Sequence, residues 1–378
     1  MREFKFTCAP KLLFGEGSLQ QLPSVVSECK GKRPFVVVDF NLVATGITSR
    51  VSTLLENAGF IPFLFDGVDG EPSTALGDEC GRLAREHRAD VVIGIGGGSA
   101  LDTAKIVSVL VTNEGTVAQY QGLHKIPHPG IPKIMIPTTA GTGSEVTWTA
   151  VFIRKEEKAK AGANSPYLYP DIALLDPELT VSLPPGPTAS TGMDAFCHAI
   201  ESFLSNKSNF FTEAISEKSL ALIWKNLPIA YKNPGDIGAR SAMLYGSFLA
   251  GLSLANAGVT AVHSLSYPLG GMFGTPHGIG NATLLPYVLE DVIPQAGEKL
   301  ESLAFFLTGE HLTAHAFVER IKQLEQDMNL PTSLRQLKVS KDVFEEIAEG
   351  AMKIAVPLQN HPRLLSREEI IAIYHAAY

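Results

Sequence analysis

Short apolar runs alternate with amphipathic stretches through the first half of the chain. Residues 35–39 (FVVVD) form a β-branched run after the breaker Pro34 and predict a strand. Residues 48–58 set Val51, Leu54 and Leu55 at helical spacing and close at Gly59. Residues 62–65 predict a second strand, and residues 76–87 a helix whose basic end suits a C-terminus. Residues 90–95 (DVVIGI) read as a third strand, apolar as expected when a parallel sheet is covered on both faces. Residues 133–136, ahead of Pro137, predict a fourth. This alternation predicts an open parallel α/β sheet with helices on both faces. Beyond Pro184 and Pro185 the period changes. Helices are expected over 191–204, 211–224, 241–255, 300–306, 315–328, 343–354 and 368–377, with little strand-like alternation. The expected organisation is an α/β domain over residues 1–184 and an all-α domain over 185–378.

Composition narrows the function classes. The 378 residues are 45% hydrophobic and 19% charged, a globular profile long enough for two domains. A net charge of −8 without a basic stripe argues against nucleic acid or an anionic membrane surface as partner. Cys8, Cys29, Cys80 and Cys197 are scattered without a CxxC pair, so a reducing, cytoplasmic setting is expected. No signal peptide is evident. Residues 241–289 lack any Asp, Glu, Lys or Arg, but contain Asn256, His263, His277 and many Gly and Ser residues. They read as interior helix and loop rather than a membrane span.

Two glycine- and hydroxyl-rich segments follow predicted strands. Residues 93–105 read IGIGGGSALDTAK: strand, turn, helix. Gly96, Gly97 and Gly98 allow a sharp turn and close ligand approach, and the helix N-terminus favours a phosphate. The plainer reading is a tight turn with Ser99 and Asp102 as a capping box. Residues 137–147 (PTTAGTGSEVT) supply hydroxyls and bare backbone at the carboxyl end of a strand, where open α/β sheets bind ligands. Together the two loops suggest a dinucleotide. Asp39 at the end of the first strand could hold ribose hydroxyls and repel a 2′-phosphate, selecting NAD over NADP, or could simply cap a turn.

Asp194 and His198 lie four apart in TGMDAFCHAIE, on one face of a predicted helix. Such a pair is often a surface ion pair, but the apolar neighbours make this helix an interior one, where an unpaired carboxylate is costly. His263 and His277 lie in the charge-free stretch. Three imidazoles and one carboxylate form a set suited to Fe²⁺ or Zn²⁺. His311 and His315 share the spacing but stand beside Glu310 and Glu319, and read as a solvated face.

The segments FGEGSLQQLP, GGGSALDTAK, PTTAGTGSEVT, LLDPELT, TGMDAFCHAIE, AVHSLSYPLGGMFGTPHG and HPRLLSREEII occur in an order that resembles the iron-containing (group III) alcohol dehydrogenases over nearly the whole chain. The resemblance implies a dehydroquinate synthase-like two-domain architecture and an NAD(P)-dependent, divalent-metal-dependent alcohol dehydrogenase or aldehyde reductase. It implies hydride exchange between nicotinamide C4 and a small primary alcohol or aldehyde, in a homo-oligomer. It assigns Asp194, His198, His263 and His277 to the metal, which makes His263 and His277 catalytic candidates. It assigns Gly97, Gly98, Ser99, Thr138, Thr139, Thr142 and Lys160, with Asp39, to the cofactor, and Gly96, Asp102, Ser144 and Val151 are further cofactor-side candidates. Trp148, Leu254 and His361 fall on the expected substrate side.

The chain departs from the family pattern at Ala100, Glu71, Trp148 and His361, and at Tyr267, which replaces a second histidine found in many members and could relay a proton or shape the pocket. Alternatives are a lyase resembling dehydroquinate synthase, a polyol oxidoreductase resembling glycerol dehydrogenase, a metal-free relative resembling maleylacetate reductase, and a non-enzymatic dinucleotide sensor. The intact Asp and three His weigh against the last two. The absence of Lys and Arg from 241–289 weighs against a highly anionic substrate.

Overall fold

Nine strands occur among the described residues, which are 3–154 and 159–378 of this computed structural model. They are β1 (Lys11–Phe14), β2 (Pro34–Asp39), β3 (Phe63–Val68), β4 (Val91–Gly96), β5 (Gly122–Leu123), β6 (Lys133–Pro137), β7 (Thr149–Arg154), β8 (Ala159–Asn164) and β9 (Ile172–Leu175). Six form one sheet in the order β1-β9-β6-β4-β2-β3, with every neighbouring pair parallel. The four expected strands are β2, β3, β4 and β6. The outer pair β1–β9 and the small sheet β5-β8-β7 were not foreseen.

Alternation within each strand explains why both faces are covered. Val36 and Val38 of β2, with Ile93 and Ile95 of β4, join Val25 and Val26 of α1 (Leu22–Glu28) and Val51 and Leu55 of α2 (Ile47–Asn57) in one core. Phe35, Val37 and Val92 point the other way. They meet Cys80 and Ala84 of α3 (Thr74–His87) and Leu101, Ala104 and Val107 of α4 (Gly98–Leu110). A Cβ on Gly94 would lie 2.7 Å from the Ala104 Cβ, so the bare β4 backbone lets α4 sit directly on the sheet. A short helix α5 (Val117–Tyr120) precedes β5. The expected Ser99–Asp102 capping box does not form. Gly97 is the N-cap of α4 without a side-chain bond, and Asp102 is drawn instead to the loop and hairpin facing it.

The remaining helices are α6 (Pro185–Leu204), α7 (Phe210–Lys232), α8 (Ile237–Ala257), α9 (Ala261–Phe273), α10 (His277–Thr308), α11 (Ala314–Asp327), α12 (Phe344–Met352), α13 (Ala355–Asn360) and α14 (Arg367–Ala376). Prolines at the start suit the first turn of α6, which begins six residues before the expected Thr191. The helix expected over 300–306 is only the last part of the 32-residue α10, whose polar and glycine-rich start hides its period. Residues 8–182 form one compact unit. Residues 183–378, joined by the segment before Cys8, form the other. No single described helix is long and apolar enough to cross a membrane. Within the charge-free stretch, α8 and α9 turn through 105° and are mostly buried inside the helical unit.

Glu325 of α11 is fully buried, and neither of its carboxylate oxygens has a hydrogen-bond partner among the described residues. Cys197 of α6 and Tyr287 of α10 face its charge, and Lys322 lies on its own helix. Burial raises its pKa well above the ordinary 4.5, against a downward pull from Lys322. The folded chain therefore keeps a proton that the unfolded chain has released above that value, and this contribution to stability falls as pH rises. Glu325→Gln cannot ionise. Its gain in unfolding free energy over the wild type should grow from about pH 5 to pH 8, by at most about 1.4 kcal/mol per pH unit. Urea unfolding across that range checks the slope, and a pH-independent difference would contradict it.

Candidate metal centre and dinucleotide loops

Asp194, His198 and Glu201 stand at i, i+4 and i+7 on α6, a stripe that an interior helix would ordinarily fill with apolar side chains. His263 is the third residue of α9 and His277 the first of α10. One donor atom from each of Asp194, His198, His263 and His277 lies within 4.8 Å of every other. Asp194, His198 and His263 are buried, and His277 is half-buried. The Nε2 atoms of His198 and His277 lie 3.9 and 3.8 Å from Asp194 Oδ1. Gly278 permits this convergence: a Cβ there would stand 2.3 Å from the Ser190 carbonyl oxygen, so only glycine lets the start of α10 press against α6.

Two side chains outside the expected set complete the cluster. The Asn281 carboxamide donates to Asp194 Oδ1 at 2.7 Å, and its nitrogen lies 3.2 Å from the Nε2 atoms of both His263 and His277. Glu201 holds the Nδ1 side of His263. Burial pushes the Asp194 carboxyl upward, but His198, His277 and His263, with Asn281, bring it below the ordinary range. Glu201 behaves likewise: burial raises it, while His263 and the Thr260 donors more than offset that. The signal for both residues was helical spacing, since Asn281 is four residues beyond His277 and Glu201 three beyond His198. Tyr267 stacks on His277, with ring centroids 5.5 Å apart, and stands edge-on to His263 at 6.4 Å.

In the α/β unit the two loops meet at the carboxyl ends of adjacent strands β4 and β6. Thr138 N–H donates to the Gly96 carbonyl at 3.0 Å. A Cβ on Gly98 would fall 2.7 Å from Thr142 Cγ2, and one on Gly97 would fall 3.5 Å from Thr139 Cγ2. Asp39, on neighbouring β2, faces the same turn: its Oδ2 is 3.8 Å from the Gly97 Cβ position, while its Oδ1 accepts from Asn41 N–H at 2.9 Å. Asp39 thus caps the turn that follows β2 while standing beside the glycine turn. Ser99 is half-buried at the second position of α4. A cavity of about 210 Å³ opens beside this region, lined by Thr138, Thr45, Gly46 and Leu179 among others.

Asp102, Ser144 and Val151 come together as a bonded set. The Asp102 carboxylate accepts from Ser144 Oγ at 2.5 Å and from Val151 N–H at 2.8 Å, and lies 3.0 Å from the buried Lys105 ammonium. Lys105 also donates to the Ser144 carbonyl at 3.1 Å, tying α4 to the threonine loop. Beside it, burial pushes the Glu145 carboxyl up to about 7. Lys160 pairs with Glu71 at 2.6 Å, so one of the departures from the family pattern holds a predicted cofactor contact.

The substrate-side candidates have separate surroundings. Trp148 lies between the rings of His124 and Tyr169, at 5.7 and 6.5 Å. Leu254 is half-buried near the end of α8. His361 is buried, both its ring nitrogens lack a hydrogen-bond partner among the described residues, and burial pushes its pKa down to about 4. His311 and His315 are exposed, as expected, with His315 paired to Glu290 at 2.5 Å.

Residues 9–177 match the family model for iron-containing alcohol dehydrogenase, and residues 188–378 match that for the C-terminal part of the Fe-containing alcohol dehydrogenase family. Long-chain-alcohol dehydrogenase 1 of Geobacillus thermodenitrificans is 37% identical over 373 residues, which cover 96% of this chain and 94% of that protein. The crystal structure of a 1,3-propanediol oxidoreductase superposes with a TM-score of 0.95 at 32% identity, covering all of both chains. The sulfoacetaldehyde reductase of Bifidobacterium kashiwanohense, solved in complex with NAD⁺, superposes at 0.92 with 27% identity, covering 100% of this chain and 99% of that one. The chain belongs to the iron-containing alcohol dehydrogenase family and is an oxidoreductase, an alcohol dehydrogenase or aldehyde reductase.

Proposed function

We propose that this chain interconverts a small primary alcohol and its aldehyde with NAD(H), using a divalent ion, Fe²⁺ or alternatively Zn²⁺, held by Asp194, His198, His263 and His277. The buried convergence of these four donors is the observation that carries the reading. A three-nitrogen, one-oxygen set fits either ion. A divalent ion held there supplies Lewis acidity, polarising a carbonyl and making an alcohol more acidic. In the oxidation direction the carbinol carbon gives a hydride to nicotinamide C4 and the hydroxyl gives up its proton, so that alcohol and NAD⁺ become aldehyde, NADH and H⁺.

The chain's own residues supply the positions. The Gly96–Ser99 turn and the start of α4 offer unpaired N–H groups to a pyrophosphate. Thr138, Thr139 and Thr142 face that turn, and the Asp102–Ser144–Lys105 bonds hold their loop in place. The Tyr267 ring fixes the plane of His277. Asp39 favours NAD(H), because its carboxylate meets the turn where a 2′-phosphate would add like charge.

An aldehyde panel assayed with NADH and NADPH, on protein reconstituted with Fe²⁺ and separately with Zn²⁺, tests the reading; no turnover with either ion would refute it. His263→Ala should lose metal retention and turnover together, with kcat/KM falling at least about a thousandfold. Full activity of that variant after metal stripping would overturn the assignment. Asp39→Asn keeps an acceptor for Asn41 but removes the charge. It should shift the NADPH to NADH ratio of kcat/KM upward by about tenfold, and an unchanged ratio would remove Asp39 from cofactor selection.

A further inference from the structure

We infer that Glu201 is a positioning residue of the metal centre: it caps the helix that carries His263 and also fixes which ring nitrogen of His263 faces the other donors. This rests on the metal reading of the cluster given above. Oε1 of Glu201 accepts three hydrogen bonds, from Thr260 N–H at 2.9 Å, Thr260 Oγ at 2.8 Å and Val262 N–H at 3.0 Å. Thr260 is the N-cap of α9, and its own side chain makes no capping bond. A carboxylate from α6 thus does what a capping side chain would do, at Thr260 and Val262, three residues and one residue ahead of His263.

The other oxygen, Oε2, meets Nδ1 of His263. A carboxylate can only accept, so Nδ1 carries the proton and Nε2 is left with a lone pair. Asn281 independently favours the same tautomer. Its carboxamide nitrogen must face Asp194 Oδ1 at 2.7 Å, because a carboxylate can only accept and would repel the amide oxygen there. That nitrogen has one hydrogen left for His263 Nε2 and His277 Nε2, each 3.2 Å away, and so favours an accepting Nε2 on His263. Two neighbours on different helices therefore select one form of the imidazole before any ion arrives. A ligating histidine needs its lone pair on the nitrogen that faces the ion.

Glu201→Gln separates the two roles. Three donors hold the amide oxygen at the Oε1 position, so the cap is kept while the amide N–H₂ turns toward Nδ1 of His263. Nδ1 must then accept, Nε2 takes the proton, and the lone pair is lost from the centre. Zn²⁺ binding, read by competition with a chromogenic chelator, should weaken 10- to 100-fold in this variant. Thermal unfolding of the metal-free protein should remain near the wild-type midpoint. In metal-free wild-type protein, ¹⁵N chemical shifts should place the His263 proton on Nδ1. Equal Zn²⁺ affinity in the two proteins, or a wild-type proton on Nε2, would overturn the inference. The nitrogen shifts decide it even if the variant does not fold. If the wild type takes up no Zn²⁺ or Fe²⁺ at all, the metal reading fails instead, and the tautomer measurement still judges Glu201.

Discussion

Two carboxylates, Asp194 and Glu201, are buried on one interior helix, and the helical unit is arranged to make that tolerable. An isolated charge removed from water costs many kcal/mol, so each must be met by donors or cations from elsewhere. Glu201 is met by the first turn of α9, and Asp194 by imidazoles from α9 and α10 and by the Asn281 amide. The requirement fixes where those helices start. It also explains why a proton, three imidazoles or an ion can share the same small volume, whereas an apolar stripe would have needed only shape.

The α/β unit solves a different problem, the approach of backbone to backbone. Bare glycine at 94 seats α4 on the sheet, and the glycine at 98 lets the threonine loop touch the turn at the end of the neighbouring strand. Behind them, the buried Lys105 and Asp102 make a charged tie between helix, loop and hairpin. Beneath the loops, Lys105, Asp102 and Ser144 satisfy one another's polar groups.

Much of this was legible in the chain. The β2, β3, β4 and β6 runs are apolar and bounded by breakers, and a long ordered set of motifs carried the family. The short strands were not legible. β1 and β9 are four residues each, and β8 (AKAGAN) has the composition of a loop, becoming a strand through its partners β7 and β5. The capping box at Ser99 failed because Asp102 has better partners in segments about 40 and 50 residues away, which local pattern cannot see. Glu201 lay inside a motif already singled out, and Asn281 only three residues beyond another. A search for ligand types passes over them, because they orient donors without belonging to the donor set.

The segment ahead of Cys8 belongs with the helices, although its sequence neighbours build the sheet. Thr7 exchanges two backbone hydrogen bonds with the Asn256 side chain, at 2.7 and 3.0 Å, across 249 positions of sequence. Phe4 and Phe6 rest edge-on against Phe210 and Phe211. As the ribosome makes this chain, the strand-forming residues can settle while those aromatics still wait for α7 and α8 to emerge. Residues made ahead of the sheet strands are thus among the later ones to find their place, and the sheet-forming unit is flanked in sequence on both sides by the helical one.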